Sequence, residues 1–324
     1  MHPPGPRPEA DASDTRDGPA PAPPLRTILV GTDLSYAGHS ALKATDHLVP
    51  SQRGKVHVVH VVPLQDAWLP QRDDRTPGGD QAPGHESDVS RHRARLVQHV
   101  EDAKLDHLEP HLHLHVGRPF EAINATAKET GADLIVLGRH RPRRAFDGLL
   151  GSTAERVVRT SEIPSLLVNR AIEAPPRRIV VATDLSPHAK RVVQVAVAWA
   201  SQWAAERGSQ EAPTEHRVRV ELVSIADFAR AGYRPLGRAE ALQRQKEAAS
   251  EAAGDAVEVG ARVASYPLAP EGIHKVTAEL GTDLVFMGTH GYGPVLRNLF
   301  GSVTSEVIRT LPLPVVVVPL TENR

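Results

Sequence analysis

The sequence predicts an α/β protein of two tandem units, each a five-stranded parallel sheet covered by helices on both faces. Three observations carry this. The 324-residue chain repeats itself at a spacing near 150 residues. Within each copy, apolar runs of strand type alternate with helical patterns, the signature of βαβ units. A glycine-rich stretch then follows the fourth apolar run of each copy.

The repeat is read directly. TILVGTDLS (27–35) returns as RIVVATDLS (178–186), and GADLIVLGRH (131–140) returns as GTDLVFMGTH (281–290). LLGSTAERVVRTSEIP (149–164) returns as LFGSVTSEVIRTLPLP (299–314). Asp33 and Asp184 are 151 residues apart, and Gly138 and Gly288 are 150 apart. Solenoid periods are far shorter, roughly 20–50 residues, so this is a domain duplication. A length of roughly 150 residues per domain also gives two domains.

The first unit is expected over 26–171 and the second over 177–320, with a short join near Ala171–Pro176 that makes the copies pack directly. Residues 1–25 (MHPPGPRPEADASDTRDGPAPAPPL) are rich in Pro and Ala and lack a hydrophobic signal core. Such a segment buries too little apolar surface to offset its ordering entropy and reads as a disordered tail.

In the first unit, strands are expected near 27–31, 56–62, 111–117, 133–138 and 165–169. In the second they fall near 178–182, 218–224, 257–264, 283–288 and 314–319. The runs TILV, HVVHVV, DLIVL, DLVF and VVVV are apolar on both faces, as strands covered by helices on each side must be. A helix over 187–206 carries Val192, Val193, Val195, Ala196, Val197, Trp199, Ala200 and Trp203, a core stripe with no ligand role. Residues 65–89 and 205–217 read as polar loops. The strand order expected is 3-2-1-4-5, which leaves SLLV (165–168) and VVVV (315–318) as edges. An exposed apolar edge invites another strand, so the copies are expected to pair through these last strands as a pseudo-twofold unit. A homodimer of the whole chain stays open.

Composition narrows the function. Aromatics are only 4%, so the cores rest on Val, Leu, Ile and Ala. The net charge of -1 and the lack of a basic aromatic patch point away from nucleic acid. No apolar run approaches the roughly 18 residues of a membrane helix. There are no cysteines, which removes disulfides, thiolate metal sites and cysteine nucleophiles and fits a reducing, cytoplasmic setting.

The chemistry concentrates where strand order reverses, beyond the carboxyl ends of strands one and four. In the second copy, Asp184 follows strand one and GTHGYGPVLRNLFGS (288–302) follows strand four. Gly288 and Gly291 lack Cβ atoms and let backbone N–H groups approach phosphate oxygens. Gly301 and Ser302 open the next helix, whose N-terminus favours an anion. Ser302 serves either as a cap or as a phosphate ligand. Asp184 is an acceptor for a ribose hydroxyl or an adenine amino group.

The spacing G-x2-G-x9-G-[ST] at Gly288, Gly291, Gly301 and Ser302, together with VVATDLS, resembles the universal stress protein family, and the resemblance spans both copies. It implies a Rossmann-like fold of the adenine nucleotide α-hydrolase type, a role in stress response, and ATP or a related adenine nucleotide as ligand, with Mg2+ as an optional companion. Carried over, the site comprises Ala182, Thr183, Asp184, Val223, Met287, Gly288, His290, Gly291, Gly301, Ser302, Val303 and Thr304. Asp184 faces the adenosine end, and the backbones of Met287, Gly288, Gly291, Gly301, Ser302 and Val303 hold phosphates. His290 is taken as a hydrogen-bonding loop residue, with a catalytic base as its competing role.

The first copy keeps Asp33, Gly138, Gly151 and Ser152 but has Arg141 in place of the middle glycine. Arg141, Arg143 and Arg144 either obstruct phosphate or clamp it from the side. Ser152 and Glu155 form a capping box whose carboxylate would repel phosphate, and the second copy has Ser305 there. The second site is therefore expected to bind more tightly, and the first to be weak, empty or selective for another nucleotide.

Twelve of the 17 histidines fall between His39 and His140. His111, His113 and His115 alternate along one strand face, and His57 or His60 from the neighbouring strand could join them as metal ligands. A solvated strand face explains the same alternation, and no metal is assigned. The competing functions are a slow ATP hydrolase and a ligand-free interaction scaffold. No G-x4-G-K-[ST] loop and no convincing carboxylate pair supports phosphoryl transfer.

Overall fold

In the computed structural model, the apolar runs become strands where the sequence places them. The structure describes residues 23–49, 54–64, 85–139, 152–208, 217–227, 237–289 and 301–320. The first copy runs β1 (Thr27–Thr32), α1 (Tyr36–Asp46), β2 (Lys55–Pro63), α2 (His85–Asp102), β3 (His111–Gly117), α3 (Pro119–Glu129), β4 (Leu134–Gly138), α4 (Ser152–Thr160) and β5 (Ser165–Val168). The second runs β6 (Arg178–Ala182), α5 (Pro187–Gly208), β7 (Val218–Asp227), α6 (Arg238–Ala253), β8 (Val257–Tyr266), α7 (Ala269–Glu279), β9 (Leu284–Gly288), α8 (Ser302–Thr310) and β10 (Val315–Val318).

Each copy has its strands in the order 3-2-1-4-5, but the two sheets are not separate. They merge into one ten-stranded sheet, β3-β2-β1-β4-β5-β10-β9-β6-β7-β8. Eight of the nine strand pairs are parallel because helical crossovers join the strands. The seam is the one antiparallel pair, with Val315 opposite Leu167, Val316 opposite Leu166 and Val317 opposite Ser165. All eight residues of β5 and β10 are buried. An apolar edge that would be exposed in either copy alone is thus closed by the other.

Two apolar layers sandwich this sheet. One holds Leu42 of α1, Leu96 of α2, Val192 and Trp199 of α5 and Leu242 of α6. The other holds Ile123 of α3, Val157 of α4, Ile273 of α7 and Val307 of α8. Alternate residues of each strand feed opposite layers, which is why the strands lack a polar face. Each first strand is pinned at its start by an aspartate. Asp133 Oδ2 accepts from the N–H groups of Arg26 and Thr27 at 2.8 and 2.9 Å. Asp283 Oδ2 accepts from Arg177 and Arg178 at 2.9 and 2.8 Å.

Three boundaries differ from the sequence reading. The predicted tail 1–25 ends too late: Leu25 is fully buried, and its N–H and carbonyl bond the side chain of Gln202 at 2.9 and 2.8 Å. One leucine has enough apolar area to anchor a Pro/Ala-rich segment, and Trp199 Nε1 adds a bond to the carbonyl of Pro23. The rest of the tail, 1–22, lies outside the described residues. The loops expected at 65–89 and 205–217 are each invaded by helix, from His85 and up to Gly208. Polar composition hid these turns because they continue helices whose apolar stripes lie further along.

Candidate functional site

Each copy ends its first strand in the same turn. Leu34 and Leu185 have positive φ, 63° and 68°, an uncommon state for a branched residue. The preceding threonine holds it: the N–H of Leu34 donates to Thr32 Oγ1 at 3.0 Å, and that of Leu185 to Thr183 Oγ1 at 3.1 Å. The aspartate closes the turn, with Asp33 Oδ1 accepting from Ser35 N and Asp184 Oδ1 from Ser186 N, both at 3.0 Å. Such compensation is what allows a strained backbone to persist at a crevice.

The second oxygen separates the copies. Asp184 Oδ2 is buried and has no hydrogen-bond partner among the described residues. Asp33 is exposed. An unsatisfied buried carboxylate oxygen costs free energy unless a donor arrives to meet it.

Strand pairing brings the candidate residues together. β6 lies against β9, with Val181 opposite Phe286, so Asp184 lies just beyond β6 and Gly288 at the end of β9. α8 is tied to that end: Gly301 N donates to Thr289 O at 2.9 Å, and Thr304 Oγ1 donates to Gly288 O at 2.7 Å. The Thr304 hydroxyl hydrogen is therefore already committed within the chain. Gly301 is the N-cap, with no side-chain cap bond, so Ser302 is the first helical residue and not a cap. Val223, Met287 and Thr183 are buried, Ala182 and Val303 are half-buried against the core, and Ser302 is exposed. His290 and Gly291 lie outside the described residues.

In the first copy, β1 and β4 pair likewise, with Gly31 opposite Leu137. A Cβ on Gly138 would sit 2.1 Å from the carbonyl oxygen of Ala37, so this glycine is required by close approach of α1 whatever the ligand. The expected capping box involves the Ser152 side chain, which lies outside the described residues. Ser152 opens α4 as a helical residue, and Glu155 Oε1 accepts from Arg159 Nη2 at 2.6 Å. Arg141, Arg143, Arg144 and Gly151 lie outside the described residues.

The histidines divide. His57 Nδ1 lies 3.0 Å from His113 Nε2, His57 and His111 stack at 5.0 Å, and His113 and His115 at 6.5 Å. Burial, followed by His113 and His111, lowers the pKa of His57 to about 4. Burial also lowers that of His113. Among the described residues no three side chains are placed to hold a metal ion. His60 does not join this group, because its strand position turns it to the opposite face. There it bonds Thr32 O at 2.9 Å and His92 at 3.0 Å.

Sequence reasoning placed a helix between the second and third strands but missed that its side chains reach the site. Thr183 Oγ1 donates to Gln245 at 3.0 Å, and Arg238 donates to Ser224 at 2.7 Å. It also missed Arg139, a buried cation whose side chain donates to Leu311 O across the seam. These partners are distant in sequence and follow no motif. The one available cue was position, since Arg139 directly follows the motif glycine.

Comparisons with known proteins agree with this architecture. The Universal stress protein family model matches residues 24–169 and 176–319. Universal stress protein G of Escherichia coli O157:H7 is 27% identical over 154 residues, which cover 44% of this chain and 98% of that protein. The crystal structure of a universal stress protein from Archaeoglobus fulgidus DSM 4304 aligns with a TM-score of 0.63 at 20% identity, covering 90% of this chain and 98% of that one. A Pseudomonas aeruginosa PAO1 protein, PA1789, of unknown function in its own description, aligns at 0.55 and 15% identity over 91% and 92% of the two chains. No helix of the described residues is long and apolar enough to cross a membrane. The chain therefore belongs to the universal stress protein family, of which it carries two tandem copies.

Proposed function

We propose that the second copy binds an adenine nucleotide, ATP or a relative, and that the protein acts as a nucleotide-responsive regulator in stress. The carrying observation is Asp184, whose buried Oδ2 has no donor among the described residues beside the β6–β9 crevice. A ribose hydroxyl or adenine amino group is a donor of the right kind. Gly288, Gly301 and the start of α8 stand across the crevice, where backbone N–H groups favour phosphate. Thr304 supports the site by its bond to Gly288 and does not act as a ligand through its hydroxyl. Mg2+ is not part of the proposal.

Calorimetry with ATP on the full chain tests it. The expected result is one tight site per chain, lost in Asp184→Ala and in Gly291→Arg. Retained affinity in both variants would move the ligand elsewhere, and no binding by the wild type would end the reading. A second site gained in Arg141→Gly would show that the arginine closes the first copy.

A further inference from the structure

The two copies use one wiring diagram behind the aspartate turn, built on the same threonine but with different groups on the second strand and second helix. In the second copy, Thr183 Oγ1 donates to Gln245 Oε1 at 3.0 Å, and Arg238 Nη1 donates to Ser224 Oγ at 2.7 Å. In the first, Thr32 Oγ1 meets His99 Nε2 at 3.0 Å, and His60 Nε2 meets His92 Nδ1 at 3.0 Å. The positions correspond. Val59 pairs with Gly31 as Val223 pairs with Ala182, so His60 and Ser224 occupy the same place. His92 and His99 are seven residues apart on α2, as Arg238 and Gln245 are on α6.

The hydrogen bonds place the lone pair of neutral His60 on Nε2. Thr32 Oγ1 accepts from Leu34 N and lies 3.0 Å from His99 Nε2; with neutral His99 protonated at Nδ1, the hydroxyl donates to Nε2, as Thr183 Oγ1 donates to Gln245. His60 Nδ1 donates to Thr32 O at 2.9 Å, so His60 Nε2 accepts from His92 Nδ1. A first proton can be shared within a pair, but once both rings carry charge the stacked His60 and His92 rings, 5.2 Å apart, and the His39 and His99 rings, 5.6 Å apart, repel, and the two Nδ1/Nε2 donors of His92 and His60 face each other without an acceptor. Gln245 and Ser224 do not titrate, and Arg238 is always charged. We propose that this imidazole network is an acid-released latch, which holds α2 and the Asp33 turn against the sheet at neutral pH and lets them go in mild acid, in the first copy alone.

The surroundings set the range. Burial lowers the pKa of His60 and of His99, so both rings are neutral and latched near pH 7. For His60 the hydrogen bond to the Thr32 carbonyl opposes the shift, Arg95 and His92 on α2 reinforce it, and Asp33, just beyond β1, opposes it for both rings. For His99, His39 from α1 reinforces it and Asp102 opposes it, with the His39 and His99 rings 5.6 Å apart. The strand beyond, β3, adds apolar Leu112 to this layer. The latch is internal to the chain and stands whether or not a nucleotide binds.

Hydrogen exchange followed by mass spectrometry on the full chain tests it at pH 7.5 and pH 5.0. α6 serves as the internal reference for the pH dependence of exchange itself. Relative to α6, α2 is expected to lose protection at pH 5.0 by about tenfold or more, the scale of a local opening. The loss should shrink in His99→Gln and in the double variant His60→Ser with His92→Arg, which install the second copy's own groups, and disappear when all three changes are combined. An unchanged α2-to-α6 ratio in the wild type would overturn the proposal, and so would variants that open in acid as the wild type does. The wild-type comparison decides the matter even if the double variant does not fold.

Discussion

Arg139 of the first copy donates through its guanidinium to the main-chain carbonyl of Leu311 in the second, and both residues are buried. Leu311 is the C-cap of α8, so the cation also meets the negative end of the helix that opens beside the candidate phosphate site. The matching residue of the second copy is Thr289, which has no guanidinium. The pseudo-twofold relation is therefore broken at the residue that follows each strand-four glycine. Arg139→Ala should destabilise the full chain by about 1–3 kcal/mol, as expected for loss of a charged hydrogen bond. Urea unfolding reads this, and an unchanged midpoint would show that the bond contributes nothing.

Leu25 is a second inter-copy anchor, fully buried at the N-terminal edge of the described chain and bonded through its backbone to Gln202 of α5. Trp203 Nε1 adds a bond to Leu48 O at 3.1 Å, again from the second copy to the first. Leu25→Ala should cost about 2–5 kcal/mol, the range for a buried leucine truncated to alanine. If the denaturation curve of the variant overlays the wild type, the segment before β1 is not part of the core.

Gly138 separates a packing requirement from a ligand requirement. A methyl group there would meet backbone atoms of Ala37 at 2.1 and 2.3 Å, and backbone cannot rotate away. Gly138→Ala is expected to lower stability by about 3 kcal/mol or more, the upper end for overpacking. Thermal unfolding in the absence of any nucleotide is the measurement. A variant as stable as the wild type would return this glycine to the ligand.

Acid should weaken the fold before the carboxylates titrate. Burial lowers the folded-state pKa of His57 (to about 4), His60, His99, His113 and His274. As pH falls below about 6.5 the unfolded chain takes up these protons first, so stability is lost from there down toward about 4. The urea midpoint at pH 7.5, 6.0 and 5.0 should fall steadily, and His57→Gln should flatten the fall. A midpoint independent of pH over that window would contradict the burial of these rings.

Period and repetition were enough to place the strands. DLIVL and DLVF read as fully covered strands because they are apolar on both faces, and the structure buries them so. The duplication at near-constant offset made two copies legible, and Asp184 and Gly288 could be assigned to one crevice because topology alone puts the ends of strands one and four side by side. Where an element was misjudged, as at His85–Val89, a polar turn carried no periodic signal of its own.

Three things were decided only by the tertiary structure. Whether the copies formed separate sheets or one depended on β5 and β10 meeting in antiparallel register, a contact between residues about 150 apart. Whether Ser302 capped its helix depended on the geometry around Gly301. The grouping of histidines depended on strand faces and helix placement: HLHLH advertised itself, while His60, His92 and His99 are dispersed in sequence and converge through β2 and α2. Sequence by itself determines what recurs locally, namely hydrophobic period, turn chemistry and repeats. Long-range hydrogen bonds such as Arg139 to Leu311 and Thr32 to His99 join groups that share no local pattern, so only the folded chain selects them.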